Sequence, residues 1–387
     1  MKSFRTILFW AHLAAGATAG VVILVMSVTG VALTYEKQMI EWADRRAAAI
    51  EPRSSQLPPE QLIAAAAAAR PQLTVIGLTM RVDPLAPTTI TFDGNTALLV
   101  DPYTSAVIGP PPATMRAFFR TMTLWHRYLA LEGASRATGK AITGAANLIF
   151  LFIVLSGIYL WLPRVWSWIQ VRNVLWFRWG LSSKARDFNW HNTIGFWSCV
   201  PLAIIVAGVV PISYSWGNRL VYRMAGETLP PAAAAAAARP AEQKPQLYVS
   251  HGLNASWSAA AAAVPAWRTI TTRLATSAQA PIVLTVDEGY GGQPQKRHTI
   301  SFDRASASVI KDETFQSLSA GRRARSWLRF AHTGEFYGLT GQTIAGIASL
   351  GGVFLVYTGF ALALRRLLAW IKRRHAASQA VNQQRAA

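Results

Sequence analysis

The chain is short of charge and has a single cysteine. Only 14% of its 387 residues are charged, whereas 52% are hydrophobic. This balance is unusual for a soluble protein and predicts a membrane protein with soluble parts. Asp, Glu, Lys and Arg are absent from four segments, 6–35, 141–163, 188–216 and 336–364. Each exceeds the roughly 20 residues that a helix needs to cross a bilayer, so we predict four transmembrane helices.

The single cysteine, Cys199, lies inside the third of these segments. The regions between the segments therefore have to fold without disulfides. The first segment follows Lys2 and Arg5, as the apolar core of a secretion signal would. Its apolar run is longer than the roughly 7–15 residues of such a core, so we interpret it as a retained span.

Basic residues predict the orientation of the spans, because Lys and Arg are enriched in cytoplasmic loops. They gather between the second and third segments and after the fourth: Arg164, Arg172, Arg178, Lys184, Arg186, Arg365, Arg366, Lys372, Arg373 and Arg374. We therefore predict a cytoplasmic basic loop at 164–187, a cytoplasmic tail at 365–387 and external regions at 36–125 and 219–330. The net charge of +20 follows from this topology and from attraction to the lipid bilayer, so no nucleic acid partner is expected.

The two halves of the chain resemble each other. "TGKAITGAANLIFLF" at 138–152 aligns with "TGQTIAGIASLGGVFL" at 340–355, and Ser156-Gly157 and Thr358-Gly359 occupy matching places further along. We therefore predict a membrane α-helical fold of two parallel repeats, each made of helix, external domain and helix.

The external regions also share a pattern. An Ala-rich helix precedes short β-branched runs, "TTITF" and "ALLVD" in the first region and "PIVLTV" and "HTISF" in the second. Alternation of this kind is typical of strands, so we predict two small α+β domains, each with one helix on a short antiparallel sheet. The Ala/Pro-rich segment 228–246 predicts a flexible spacer before the second domain.

Four histidines occupy matching places in the two halves. His12 and His191 lie near the predicted cytoplasmic ends of the first and third spans. His126 and His332 precede the second and fourth spans on the outer side. From depth alone we pair His12 with His191 and His126 with His332. Ionisable residues of membrane spans usually face the bundle interior and mark a site.

A pair of facing imidazoles suits zinc, copper or iron. Two ligands alone leave a bare metal ion undersupplied, and the four histidines have no Asp, Glu or Cys adjacent to them in the sequence. Haem fits better, because its porphyrin supplies four nitrogens and needs only two axial ligands. The alternative is structural: an intramembrane histidine can simply hydrogen-bond a carbonyl or hydroxyl group of a neighbouring helix.

These features resemble the PepSY-associated transmembrane helix family of bacterial inner-membrane proteins. The resemblance covers essentially the whole chain, and its specific parts are "LWHRYL", "NWHNTIGFW", "HTGEFYGLTGQTIAG" and the duplicated "FD" strands of the external regions. It implies two periplasmic PepSY-like domains and the activity of a ferric-siderophore reductase with two non-covalent b-type haems. The haem irons would then be bound by His12, His191, His126 and His332.

The same resemblance implies that electrons enter on the cytoplasmic side and reduce Fe(III) in a siderophore or another ferric chelate outside. The sequence has no G-x-G-x-x-G motif, so we expect the electron donor to be quinol or a separate cytoplasmic reductase. The alternative function is non-enzymatic: a membrane-tethered PepSY module that binds or inhibits a periplasmic peptidase. Haem content distinguishes the two.

Overall fold

The structure is a computed structural model that describes residues 2–162, 167–230 and 250–386. The end of the second predicted span at Pro163, the basic residue Arg164 and most of the predicted spacer at 228–246 lie outside the described residues.

Four long apolar helices form a bundle. They are α1 (Lys2–Leu33), α5 (Arg136–Trp161), α7 (Ser183–Ser213) and α11 (Gly338–Ala386). Each is long and apolar enough to cross a membrane, which confirms the prediction of four such helices. The helices extend beyond the charge-free segments, because charged side chains can remain solvated at the ends of a span. α1 and α7 each pack against both α5 and α11, so the four helices enclose a common interior.

Shorter helices surround one end of the bundle. α2 (Glu36–Ala48) follows α1, and α4 (Ala113–Tyr128) packs against α1 and α5. α8 (Ser215–Met224) follows α7, and α10 (Ala320–His332) packs against both α7 and α8. At the opposite end, α6 (Trp168–Leu175) packs against α7 inside the segment that the sequence predicted as a basic loop.

The strands form one eight-stranded antiparallel sheet in the order β4-β3-β2-β1-β5-β6-β7-β8. From the first external region come β1 (Val75–Arg81), β2 (Thr88–Phe92), β3 (Ala97–Val100) and β4 (Val107–Gly109). From the second come β5 (Thr269–Arg273), β6 (Ile282–Asp287), β7 (Arg297–Phe302) and β8 (Val309–Thr314). The strands predicted at "TTITF", "ALLVD", "PIVLTV" and "HTISF" are confirmed as β2, β3, β6 and β7.

The sheet corrects the expectation of a separate short sheet in each external region. β1 pairs with β5 from Gly77–Arg273 to Arg81–Thr269, so the two regions share their central strands. The helices α3 (Pro59–Ala69) and α9 (Leu253–Ala263) pack on the same face and contribute to one hydrophobic core. Joining the regions in this way removes two exposed strand edges, which would otherwise present unpaired backbone groups.

The sheet is attached to one end of the bundle by polar contacts. Lys37 at the start of α2 forms an ion pair with Glu335, just before α11. The Gln295 side chain donates to the Phe336 carbonyl at 2.7 Å. These contacts place the β6–β7 connection next to the bundle end that carries His332.

Candidate functional site

The four matched histidines lie in two groups at different depths of the bundle. At the sheet end, His126 on α4 and His332 on α10 have ring centroids 6.3 Å apart, with an angle of 49° between the rings. His12 on α1 and His191 on α7 lie close enough to interact electrostatically. We call them the outer pair (His126 and His332) and the inner pair (His12 and His191). A rise of about 1.5 Å per residue separates His12 from Thr29, which contacts His126, by about 25 Å along α1.

Each imidazole has its Nδ1 atom held by a neighbouring helix. Three of the partners are side-chain hydroxyl groups and the fourth is a backbone carbonyl. The distances are His12 to Ser156 Oγ 2.8 Å, His126 to Thr29 Oγ1 3.0 Å, His191 to Thr358 Oγ1 2.9 Å and His332 to the Ile205 carbonyl 2.9 Å.

These partners favour the tautomer that carries its hydrogen on Nδ1. A carbonyl only accepts, so His332 must donate through Nδ1–H. The Thr29 hydroxyl donates its one hydrogen to the Val25 carbonyl at 2.7 Å, and the Thr358 hydroxyl donates to the Phe354 carbonyl at 2.7 Å. Ser156 donates likewise to the Ile153 carbonyl at 3.1 Å. The hydroxyl oxygens can then accept from Nδ1–H, and in this tautomer the Nε2 lone pair of each ring is available.

Three of the rings lie beside a glycine, where an added Cβ atom would be in ordinary van der Waals contact. Gly30, Gly157 and Gly359 directly follow the three hydroxyl residues in the sequence. A Cβ atom at each of them would lie 3.5 or 3.6 Å from the Cε1 atom of the adjacent histidine. The fourth ring is seated differently, because a Cβ at Gly208 would lie 2.5 Å from the Leu328 carbonyl and 3.2 Å from the His332 Cβ. A larger residue at 208 would push α10 away from α7.

Burial keeps the outer pair neutral. It lowers the pKa of His126 to about 4, and the neighbouring His332 and Arg127 lower it as well. Burial also lowers the pKa of His332. Since a lowered pKa means loss of the proton at a lower pH, both rings are neutral near pH 7 and available as ligands.

A buried carboxylate holds α7, which carries His191, against α11. Asp187 is 1% exposed and lies one helical turn before His191 on α7. It accepts from Arg365 on α11 at 2.6 Å and from Arg186 at 3.0 Å. Because α11 also carries Thr358, this ion pair fixes the helix that presents His191 against the helix that holds its Nδ1 atom.

The donor set of each pair fits haem. Among the residues that the structure describes, no three His, Cys, Asp or Glu side chains are grouped so as to hold a metal ion. A metal ion bound by two imidazole nitrogens at about 2 Å each holds the ring centroids about 6 Å apart. The 6.3 Å of the outer pair agrees with this separation. Two imidazoles whose Nδ1 atoms are engaged elsewhere would supply the two nitrogen ligands that a porphyrin-bound iron needs.

The sequence indicated the four histidines, but it did not indicate what holds them. The hydroxyl-glycine dipeptides at 156–157 and 358–359 were visible as parts of the repeat, without a role. The third dipeptide, Thr29-Gly30, was not part of the predicted site. The recurrence of a hydroxyl residue followed by glycine in three apolar spans could have indicated it. The Ile205 carbonyl had no side-chain signal at all. Ligation of a cofactor by the four histidines stays a prediction.

Taken together, the four apolar helices, the antiparallel sheet and the paired histidines define a helical membrane protein. Residues 9–366 match the family model of the PepSY-associated TM region. The chain therefore belongs to this family, as the motifs around the histidines predicted. No curated protein matches it.

Proposed function

We propose that the chain is a di-haem b electron-transfer protein of the bacterial inner membrane, with its sheet in the periplasm. In this proposal His12 and His191 hold one haem, and His126 and His332 hold the other. The protein reduces Fe(III) in a siderophore or another ferric chelate and so releases the iron. The observation that carries the proposal is the arrangement of the four imidazoles as two pairs at different depths, each ring with its Nδ1 atom in contact with a neighbouring helix.

The chain's own residues position the ligands. Ser156, Thr29 and Thr358 accept from three Nδ1–H groups, and the Ile205 carbonyl accepts from the fourth. Each bond fixes the rotation of a ring and leaves Nε2 directed away from its supporting helix. The apolar bundle around the pairs excludes water, and a low dielectric favours a cofactor whose net charge is small.

Bound haem would supply one-electron redox chemistry at each pair. Reduction of a ferric chelate consumes one electron per iron, and the weaker hold of oxygen ligands on Fe(II) then releases the metal. The proposal requires no general acid or nucleophile from the chain. The electron donor on the cytoplasmic side is quinol or a separate reductase.

The test is a haem count on the detergent-purified full chain, produced with ample haem, together with spectra before and after dithionite reduction. We expect two b-type haems per chain with low-spin reduced bands. Replacing His12, His191, His126 or His332 by Ala should each remove about one haem. His298→Ala is the matched control, because His298 lies on β7 and contacts Asp312 at 3.0 Å, far from the bundle interior.

A wild-type protein without haem would contradict the proposal and favour the alternative of a membrane-tethered module that binds a peptidase. Equal haem counts in the four variants and in His298→Ala would also contradict it, since haem would then be bound elsewhere.

A further inference from the structure

The helix α8 begins at the very end of a membrane-spanning helix. α7 ends at Ser213, and only Tyr214, with extended backbone angles φ −124° and ψ 129°, separates it from the start of α8 at Ser215. The apolar stretch of α7 also ends at Ser213. The first turn of α8 therefore lies at the level where the hydrocarbon gives way to lipid head groups.

α8 packs against the protein with one side. Gly217 and Tyr222 are buried. A Cβ at Gly217 would lie 2.8 Å from the Val210 carbonyl, and Tyr222 contacts Gly321 of α10. This side fixes the rotation of α8 about its own axis.

The other side of α8 exposes an apolar stripe. Trp216, Leu220 and Met224 are spaced four residues apart and therefore lie on one face. They are 45%, 48% and 80% exposed. An exposed stripe of this kind, continuous with a membrane-spanning helix, is typical of an interfacial helix whose apolar face enters the bilayer.

Two arginines lie beside this stripe. Arg219 and Arg223 are one turn apart and exposed, and α8 contains no acidic residue. Neither has a hydrogen-bond or ion-pair partner among the described residues. The nearest acidic residue along the chain, Glu227, accepts from Ser319 Oγ at 2.8 Å, and this bond lowers the pKa of the Glu227 carboxyl.

We propose that α8 binds the phosphate groups of anionic phospholipids in the leaflet on the side of the sheet, through Arg219 and Arg223. The stripe of Trp216, Leu220 and Met224 lies on the acyl chains, while the two guanidinium groups reach the head-group level. Guanidinium binds phosphate by paired N–H donors. A zwitterionic head group also carries a cation, which the two arginines repel, so the site favours a head group with a net negative charge. The proposal does not depend on haem binding.

The test uses the full chain in a neutral detergent, incubated with equal amounts of phosphatidylglycerol and phosphatidylcholine. Native mass spectrometry then counts the lipids of each kind that remain bound. The wild type should retain phosphatidylglycerol preferentially. The double variant Arg219→Gln/Arg223→Gln should bind it about thirtyfold more weakly, which corresponds to about 1 kcal/mol for each arginine.

The matched control is Arg53→Gln/Arg70→Gln, which removes the same charge from two exposed arginines of the external region. It should retain phosphatidylglycerol like the wild type. A second readout is the melting temperature, which phosphatidylglycerol should raise for the wild type and the control but not for the α8 variant. Equal retention of the two lipids by the wild type would overturn the proposal, and so would equal loss in the two double variants.

Discussion

At the scale of the residue, the hydroxyl groups of Thr29, Ser156 and Thr358 favour one of the two neutral forms of each neighbouring imidazole. A hydroxyl has one hydrogen, and in a helix the carbonyl three or four residues earlier takes it. No water competes for these groups in the hydrocarbon region, so the assignment persists. The oxygen is then left as an acceptor that the Nδ1–H of the histidine can satisfy.

Removing such an acceptor should loosen haem at the pair concerned. Thr29→Val and Thr358→Val keep the shape of the side chain but remove the hydroxyl acceptors beside Nδ1 of His126 and His191. Loss of a ligand's outer partner typically weakens metal affinity about 10–100-fold. We therefore expect each variant to lose one haem that much faster to an added apo-globin, with an altered midpoint potential for that haem. Thr→Ser at the same position should restore retention, because it restores the acceptor.

Thr18→Val is the control for this measurement. Among the residues that the structure describes, the Thr18 hydroxyl bonds only the carbonyls of Ala14 and Ala15 on its own helix. If haem leaves Thr29→Val and Thr358→Val no faster than it leaves Thr18→Val, these hydroxyls do not position ligands.

The sequence predicted the four histidines but not their hydrogen-bond partners. The internal repeat made His12, His191, His126 and His332 stand out from the seven histidines. Their supports could not be derived in the same way. Thr29 meets His126 only because α4 folds back onto α1, and a contact over such a separation leaves no trace in local periodicity.

At the scale of the element, the sequence predicted neither of the two strands that join the external regions, and it did not predict the edge strands β4 and β8 either. β1 contains Gly77, and its pairing with β2 shifts between Val75 and Gly77, which breaks the expected alternation. β5 reads "TITTR", with a single large apolar residue, Ile270. Its stability comes from partners distant in sequence, since Thr271 pairs with Thr79 on one side and with Thr285 on the other. Local propensity cannot report such pairings.

A shared sheet predicts that the two external regions unfold together. Ile270 is fully buried in the common core, so Ile270→Ala should destabilise the sheet by about 2–5 kcal/mol. Hydrogen exchange measured by mass spectrometry should then rise in both α3 and α9, although only α9 belongs to the same region as Ile270. Val283→Ala, at a site 39% exposed on the opposite face, should change neither helix. Faster exchange confined to α9 would mean that the regions are energetically separate.

At the scale of the whole molecule, the sheet and the outer pair lie at one end of the bundle, and the basic part of α11 extends from the other. Arg366 contacts the rings of Phe9 and Trp10, and Arg365 contacts Asp187, so the basic end is attached to α1 and α7. The sequence predicted that the basic residues lie at one end, because they cluster between the second and third spans and after the fourth. The distance of about 25 Å between the pairs follows once the spans are known to be continuous helices.

This arrangement predicts which end faces the cytoplasm, and with it the direction of electron flow. In a Cys199→Ala background, we would place a cysteine at Ser277, exposed between β5 and β6, or at Ser378, exposed near the end of α11. A membrane-impermeant maleimide should label Ser277→Cys in right-side-out spheroplasts, and Ser378→Cys only after the membrane is permeabilised. Because Lys and Arg favour the cytoplasmic side, we expect no labelling of Ser378→Cys in intact spheroplasts. The reverse pattern would put the sheet in the cytoplasm, where the chain could not deliver electrons to a ferric chelate outside.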